Sequence, residues 1–216
     1  PQNIWVVVTG DFKKSDLLSK WSDFYHSAPP KRDLLIPAVP EPRFRPGVFL
    51  VQKNINQSSI YFGLQASTKA DPDIHRIHLL NHMVGGSSFA SRFTQQVRDR
   101  EGLAYRVDSL MDTELLARSA FVARCRTKTE STERAIDAMQ WCLDLFREAK
   151  FTDTEFLAGK SGLKNGFVKG FATVADVLTN FLMLRILDRP RQYLEEYQNR
   201  VETITPDQLQ ETARQL

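Results

Sequence analysis

The chain opens on Ile4-Trp5-Val6-Val7-Val8-Thr9, a short apolar, β-branched run that predicts a strand buried on both faces and ended by a turn at Gly10-Asp11. From Ser15 to Tyr25 the period changes: Leu17, Leu18, Trp21, Phe24 and Tyr25 recur at helical intervals behind a Ser or Asp cap, predicting an amphipathic helix. Between Ser27 and Pro46 stand Pro29, Pro30, Pro37, Pro40, Pro42 and Pro46. So many rings without amide donors predict an extended connector over 27–46.

Gly47–Lys53 and Ser58–Ser67 predict two strands joined as a hairpin by the polar turn Asn54 to Gln57. In the second, Ile60, Phe62, Leu64 and Ala66 share one face, and Ser59, Tyr61, Gly63 and Gln65 share the other. Asp71-Pro72-Asp73 starts a helix that Gly85-Gly86 stops, and Ser91–Glu101 forms a second short helix closed by Gly102. Strand patterns follow at Ala104–Met111 and Leu115–Thr127, with Asp112-Thr113-Glu114 as the turn between them. The remainder is nearly all helical in period: Glu130–Lys150, Asp153–Phe171, Val174–Leu187, Tyr193–Val201 and Pro206–Leu216. Thr152-Asp153-Thr154-Glu155 fits a capping box, and Thr205-Pro206-Asp207-Gln208 combines a cap, a first-turn Pro and a third-position Gln. Hairpins rather than strict strand–helix alternation predict an α+β fold: a mainly antiparallel sheet of about five strands with helices packed on one face, two layers in all, with 1–216 as a single domain.

Composition narrows the function classes. The 216 residues are 42% hydrophobic and 25% charged, as a globular domain requires. Lys and Arg number 29 against 26 Asp and Glu, a net charge of +3 whose signs alternate along the chain. That is too weak and too mixed to predict a nucleic-acid surface. No apolar run approaches the ~20 residues of a membrane span, and Pro1-Gln2-Asn3 lacks the basic and apolar pattern of a leader, so a soluble chain is expected. An apolar run almost at residue 1 and a helical pattern up to the last residues lead us to expect a piece of something longer. Cys125 falls in a strand pattern and Cys142 in a helix pattern, without C-x-x-C spacing; they read as buried unpaired thiols or as a single disulfide.

Three short constellations suggest chemistry and withdraw it. His75, His78 and His82 project from one helix at spacings of three and four, and an i, i+4 pair can share a zinc ion. Yet His75 and His82 are about 10.5 Å apart along the axis, and the residues between His78 and His82 are Leu79, Leu80 and Asn81, without the glutamate that a hydrolytic zinc helix carries. Partly exposed histidines on a helix are the expectation. Gly159-Lys160-Ser161 has the ending of a phosphate loop, but Thr154 stands where that loop needs its first Gly. Gly159, Gly162, Gly166 and Gly170 form a bare helical stripe, which predicts close backbone packing or a bend.

The segment from Met83 to Tyr105 is different in kind. A Gly85-Gly86 turn, a cap at Ser91, a basic helix and Gly102-Leu103-Ala104-Tyr105 leading into a strand follow in close order. Arg98 near the helix end and Tyr105 at the strand start can meet across the Gly102 turn, presenting a cation and a phenol that donate to a carbonyl or developing oxyanion. The competing arrangement has Arg98 capping carbonyls or paired with Asp99 or Glu101, and Tyr105 packed in the sheet.

This segment resembles the pitrilysin (insulinase) family of zinc metallopeptidases, specifically the second, non-zinc domain of a half-molecule, often called the inactive domain. The resemblance rests on Gly85-Gly86, on Ser91-Arg92-Phe93, and on Arg98 with Tyr105 in Leu103-Ala104-Tyr105, which match a Gly-Gly turn, S-R-L-F and R-E-x-x-G-L-A-Y. Ile4 to Phe12 likewise resembles the V-x-G-D strand and turn that opens this domain, and Phe93-Thr94 departs from the usual Leu-Phe. The resemblance implies a processing-peptidase-like sheet of about five strands backed by helices. Two such domains form each half, and two halves close as a dimer or clamshell around a chamber for unfolded peptides. It also implies zinc in a partner domain or subunit on H-x-x-E-H, a motif absent from this sequence, so this chain holds no cofactor and is inactive alone. Tyr105 is then expected to stabilise the oxyanion, Arg98 to position the substrate backbone, and Gly85, Gly86, Ser87 and Ser88 to help bind the peptide. A non-catalytic scaffold or peptide-binding relative is the alternative. Bacterial periplasm and cytoplasm are both open to it.

Overall fold

The computed structural model describes residues 4–27, 45–68, 71–87, 90–111 and 120–215. Period-two alternation builds its sheet from β1 (Gln57–Gln65), β2 (Ala104–Met111) and β3 (Ala120–Lys128). Each strand turns every second side chain to a buried face: Ile60 on β1, Val107 and Ser109 on β2, Phe121, Ala123, Cys125 and Thr127 on β3. β3 runs between the other two and antiparallel to both, in the order β1-β3-β2. Gln57 lies opposite Lys128 and Gln65 opposite Ala120, while Ala104 lies opposite Thr127 and Met111 opposite Phe121.

Helices cover the buried face. α1 (Lys14–Ser27) precedes the sheet, and α2 (Ile74–Asn81) continues into a wider π-helical turn, His82–Gly86, that buries Met83, Val84 and Gly85. A second π-helical segment, Thr94–Arg100, precedes β2. α3 (Thr132–Arg147) presents Ala135, Ala138, Met139, Cys142 and Phe146 inward at the three-and-four spacing of an amphipathic helix. α4 (Asp153–Lys169), α5 (Val174–Ile186), α6 (Gln192–Glu195), α7 (Tyr197–Glu202) and α8 (Pro206–Gln215) complete the order. Phe93, Leu79, Met139, Leu209, Val97, Ala123 and Cys142 form the dry centre. Both capping boxes form: Thr152 N–H donates to Glu155 Oε2 at 2.8 Å and Glu155 N–H to Thr152 Oγ1 at 3.2 Å, and Thr205 and Gln208 exchange the same pair of bonds.

The chain divides into two compact units, parting after Gly166 and again after Glu195. The sheet, α2, α3, α7, α8 and most of α4 make up one unit. The other holds α1, α5 and α6; within it the Arg185 guanidinium lies 5.5 Å from the Trp5 ring, and Thr173 and Asp176 form a further capping box at the start of α5. No single described helix is long and apolar enough to cross a membrane.

Among the described residues three strands stand where about five were expected. Ile4–Thr9 and Gly47–Lys53 form no strand and the hairpin at Asn54–Gln57 does not form; Val48 is wholly exposed and Ile4, Trp5, Val6 and Val8 are exposed too. An apolar run satisfies the side-chain half of a strand's requirements, but neither run finds a neighbouring backbone among the described residues. The expected connector lies mostly at 28–44, and the turn Asp112-Thr113-Glu114 with the start of the Leu115–Thr127 strand at 112–119, both outside the described residues. The predicted helix Tyr193–Val201 is split into α6 and α7.

Bare backbone is used for close approach. A Cβ on Gly85 would lie 2.6 Å from both the backbone nitrogen and Oγ of Ser109 and 2.7 Å from Phe93, so the π-helical turn sits directly on β2. Along α4, a Cβ on Gly159 would meet Met83 Cγ at 2.6 Å, and one on Gly162 would strike the His82 ring. The first half of the glycine stripe is therefore a packing seam. Gly85→Ala is expected to lower stability by about 1–3 kcal/mol through overpacking against backbone that cannot retreat. Gly63→Ala, with nothing within 4 Å of its Cβ, should change it by less than about 0.5 kcal/mol. Urea-denaturation midpoints of the two variants check this; equal midpoints would contradict it.

Candidate functional site

The turn between the second π-helical segment and β2 builds the site. Ser91 is fully buried and its Oγ accepts from Thr94 N–H at 3.3 Å, fixing the start of the segment as the sequence predicts. Phe93 and Val97 are fully buried beneath it, which turns the next residue, Arg98, to the half-exposed shoulder. Gly102 reverses the chain at φ +61°, a conformation that side-chain-bearing residues rarely adopt. Its N–H donates to the Arg98 carbonyl at 3.1 Å, Leu103 N–H donates to the Val97 carbonyl at 2.9 Å, and Thr127 Oγ1 donates to the Leu103 carbonyl at 2.7 Å. The helix end is thus bonded to the strand start from both sides.

Immediately afterwards the ladder slips. Ala104 lies opposite Thr127 and Arg106 opposite Arg126, so Tyr105 is the extra residue of a β-bulge. Ala104 points inward, whereas Tyr105 and Arg106 both point outward, and Tyr105 is 90% exposed. The Arg98 guanidinium lies 5.6 Å from the Tyr105 ring centre, within cation–π range. Arg98 Nε is also 3.7 Å from an Asp99 carboxylate oxygen, while Glu101 takes the Gln96 amide at 2.8 Å and Arg134 at 3.5 Å. The cation and the phenol meet across the turn, and Tyr105 does not pack in the sheet.

The other expected residues part company. Gly85 lies under β2 at Ser109, about 13 Å along the strand from Tyr105 at ~3.3 Å per residue. Gly86 is exposed, Ser87 is half-buried with its N–H donating to the His82 carbonyl at 3.2 Å, and Ser88 lies outside the described residues. Ser87 instead lines a cavity of about 190 Å³ with His82, Gln95, Thr154 and Glu155, which the sequence did not indicate. Among the histidines, His75 is buried edge-on to the Tyr197 ring at 5.1 Å rather than partly exposed, because α7 covers that face of α2. His82 is half-buried against α4, and burial lowers its pKa. Among the described residues no three His, Cys, Asp or Glu side chains gather as a metal site. Lys160 is buried with Nζ donating to the Glu202 carbonyl at 2.6 Å, a structural anchor rather than a phosphate ligand.

Sequence reasoning also missed a cluster on the open face of the sheet. Asp108 accepts from Arg124 Nε at 2.7 Å and Nη2 at 3.0 Å and from Arg106 Nε at 2.8 Å. Desolvation alone would raise the Asp108 pKa; the hydrogen bonds and charges of Arg124 and Arg106 outweigh it and leave the carboxyl below the usual range. With Tyr61 and Arg126 these groups line a recess of about 80 Å³. The signal was present in Arg124-Cys125-Arg126-Thr127-Lys128, where basic and buried residues alternate.

A family model described as the peptidase M16 inactive domain matches residues 1–163. No curated protein matches the chain at a significant level. In fold it is similar to a peptidase M16 inactive domain from Pseudomonas fluorescens, at 24% identity, TM-score 0.68, covering 74% of this chain and 38% of that one. A protease from Helicobacter pylori is similar at 16% identity and TM-score 0.75, over 95% of this chain and 50% of that one. An inactive peptidase domain from Bordetella parapertussis is similar at 14% identity and TM-score 0.62, over 78% of this chain and 90% of that one. The chain spans half or less of the Pseudomonas and Helicobacter chains.

Neither thiol is a nucleophile at neutral pH. Cys125 and Cys142 are free and buried, and desolvation pushes their pKa values up to about 11 and about 12. At pH 8 the folded chain should leave a disulfide thiol reagent unconsumed over minutes, and unfolding in urea should release both thiols. A thiol that reacts at once in the folded protein would contradict this.

Proposed function

The chain belongs to the peptidase M16 inactive-domain family, and from that premise we propose that it is the accessory, non-zinc domain of a zinc-dependent metalloendopeptidase. In this reading it forms part of a peptide-binding chamber and supplies Arg98 and Tyr105 to a zinc-bearing partner domain or subunit, the two closing as a dimer or clamshell. The family is the pitrilysin family that the Gly85 to Tyr105 segment resembles.

The observation that carries the reading is the position of Tyr105. Burying a large apolar side chain stabilises a fold by about 1.5–3 kcal/mol, so stability gives no reason to hold this ring 90% exposed. A bulge turns it outward and a guanidinium covers one of its faces, which orders the phenol while leaving its hydroxyl available. A scaffold that only binds partners has no need of that arrangement.

The chemistry follows from the two groups. As an amide is attacked, its carbonyl oxygen gains negative charge, and a phenol O–H aimed there donates without itself being deprotonated. The Arg98 guanidinium, with five N–H donors in a fixed plane, holds a substrate carbonyl in register beside it. A zinc ion in the partner domain would supply the Lewis acid and the activated water, while Arg98 and Tyr105 hold the substrate carbonyl and the developing oxyanion. Gly86, Ser87 and Ser88 carry the peptide backbone in this reading, while the bare Cα of Gly85 serves packing against Ser109.

One oxyanion donor is worth about 3–4 kcal/mol in the transition state. Tyr105→Phe in the full assembly should lower peptide turnover by more than about tenfold with little change in KM. Steady-state kinetics check this; unchanged turnover would remove the catalytic role.

A further inference from the structure

The open face of the sheet carries charge that the chain-wide average conceals. Its three strands contain Arg106, Arg124, Arg126 and Lys128 against the single carboxylate Asp108. Taking four from the 29 basic and one from the 26 acidic residues leaves 25 of each, so the sheet alone accounts for the whole net charge of +3. Asp108 draws Arg106 and Arg124 together through their Nε atoms and Arg124 Nη2, which leaves the other terminal N–H groups of both guanidinia for a ligand. Arg126 and Lys128 are exposed, and neither has a carboxylate partner among the described residues. Arg124, Arg126 and Lys128 stand at every second position of β3, about 6.6 Å apart, and an extended peptide repeats its side chains at the same interval.

We propose that this face binds an extended acidic peptide segment whose Asp or Glu side chains, at alternate positions, pair with Arg124, Arg126 and Lys128. The proposal rests on the family reading for the ligand being a peptide and adds its charge. Tyr61 lies beside Arg124 at the recess, offering a ring against which the peptide's intervening side chains rest. A single-stranded nucleic acid would also meet cations here, but such sites place aromatic side chains as successive stacking platforms, whereas the strands offer exposed rings only at Tyr61 and Tyr105.

The test is fluorescence anisotropy on the full-length protein with three labelled probes: a (Glu-Ala)n peptide, a (Lys-Ala)n peptide of equal length, and an oligo-dT. The Glu peptide should bind at least about tenfold more tightly than the Lys peptide and more tightly than oligo-dT, and should weaken as salt is raised. Arg126→Glu with Lys128→Glu should lose at least about tenfold, and Arg126→Gln with Lys128→Gln a smaller part of that. Lys13→Glu with Lys14→Glu makes the same change in net charge on exposed positions of the compact unit that does not hold the sheet and should leave binding intact. Equal affinity for the two peptides, preference for oligo-dT, or Glu-peptide binding unaltered by the Arg126 and Lys128 changes would overturn the proposal. The assay involves no turnover, so failure here with a Tyr105-dependent rate retires only the acidic preference. Success here with a Tyr105-independent rate retires only the catalytic role.

Discussion

A reversal of the chain at Gly102, closed by three hydrogen bonds, is the constraint on which the site depends. Gly102 N–H and Leu103 N–H return to the Arg98 and Val97 carbonyls, and the Thr127 hydroxyl holds the Leu103 carbonyl from the neighbouring strand. Val97 and Leu103 are buried on either side, so the turn cannot open without exposing core. Any side chain at position 102 would have to adopt φ near +61°, at a cost of about 1–2 kcal/mol. Because this geometry is fixed, the bulge that follows places one residue, Tyr105, outside the ladder and beneath the Arg98 guanidinium.

The two faces of the sheet divide the work. On the covered face, glycine is a packing device: Gly85 admits β2, and Gly159 and Gly162 admit the Met83 and His82 side chains. There, polar groups are tied to partners, as with Ser109 on Asn81 at 2.8 Å and Lys160 on Glu202. On the open face, long cationic and phenolic side chains remain in solvent, ordered by each other and by Asp108 rather than by burial. Preorganisation without burial is the arrangement that the proposed peptide-receiving role calls for.

Much of this was legible in the residues. β2 runs from Ala104 to Met111 as the alternation predicts, both capping boxes form, and the inward set Ile60, Phe62, Leu64 and Ala66 faces the core. The losses share a physical origin: pattern records what side chains want, not which backbone is at hand to pair with. Ile4–Thr9 and Gly47–Lys53 have strand composition and no ladder among the described residues. Helical period does not distinguish an α-helix from the wider turns at His82–Gly86 and Thr94–Arg100. The meeting of Arg98 and Tyr105 was one of two readings because a bulge, invisible to period two, decides it. The basic face was missed because opposite signs elsewhere cancel in the net charge and only the register of β2 against β3 gathers its four cations.

A crystal structure of the full-length protein with a phosphinate peptide bound at the partner domain's metal tests the central claim most directly. The expected result is a Tyr105 hydroxyl about 2.7–3.1 Å from the phosphinyl oxygen that stands for the oxyanion, with the Arg98 guanidinium on a neighbouring peptide carbonyl. A Tyr105 hydroxyl pointing away from the inhibitor, beyond hydrogen-bond reach, would contradict it.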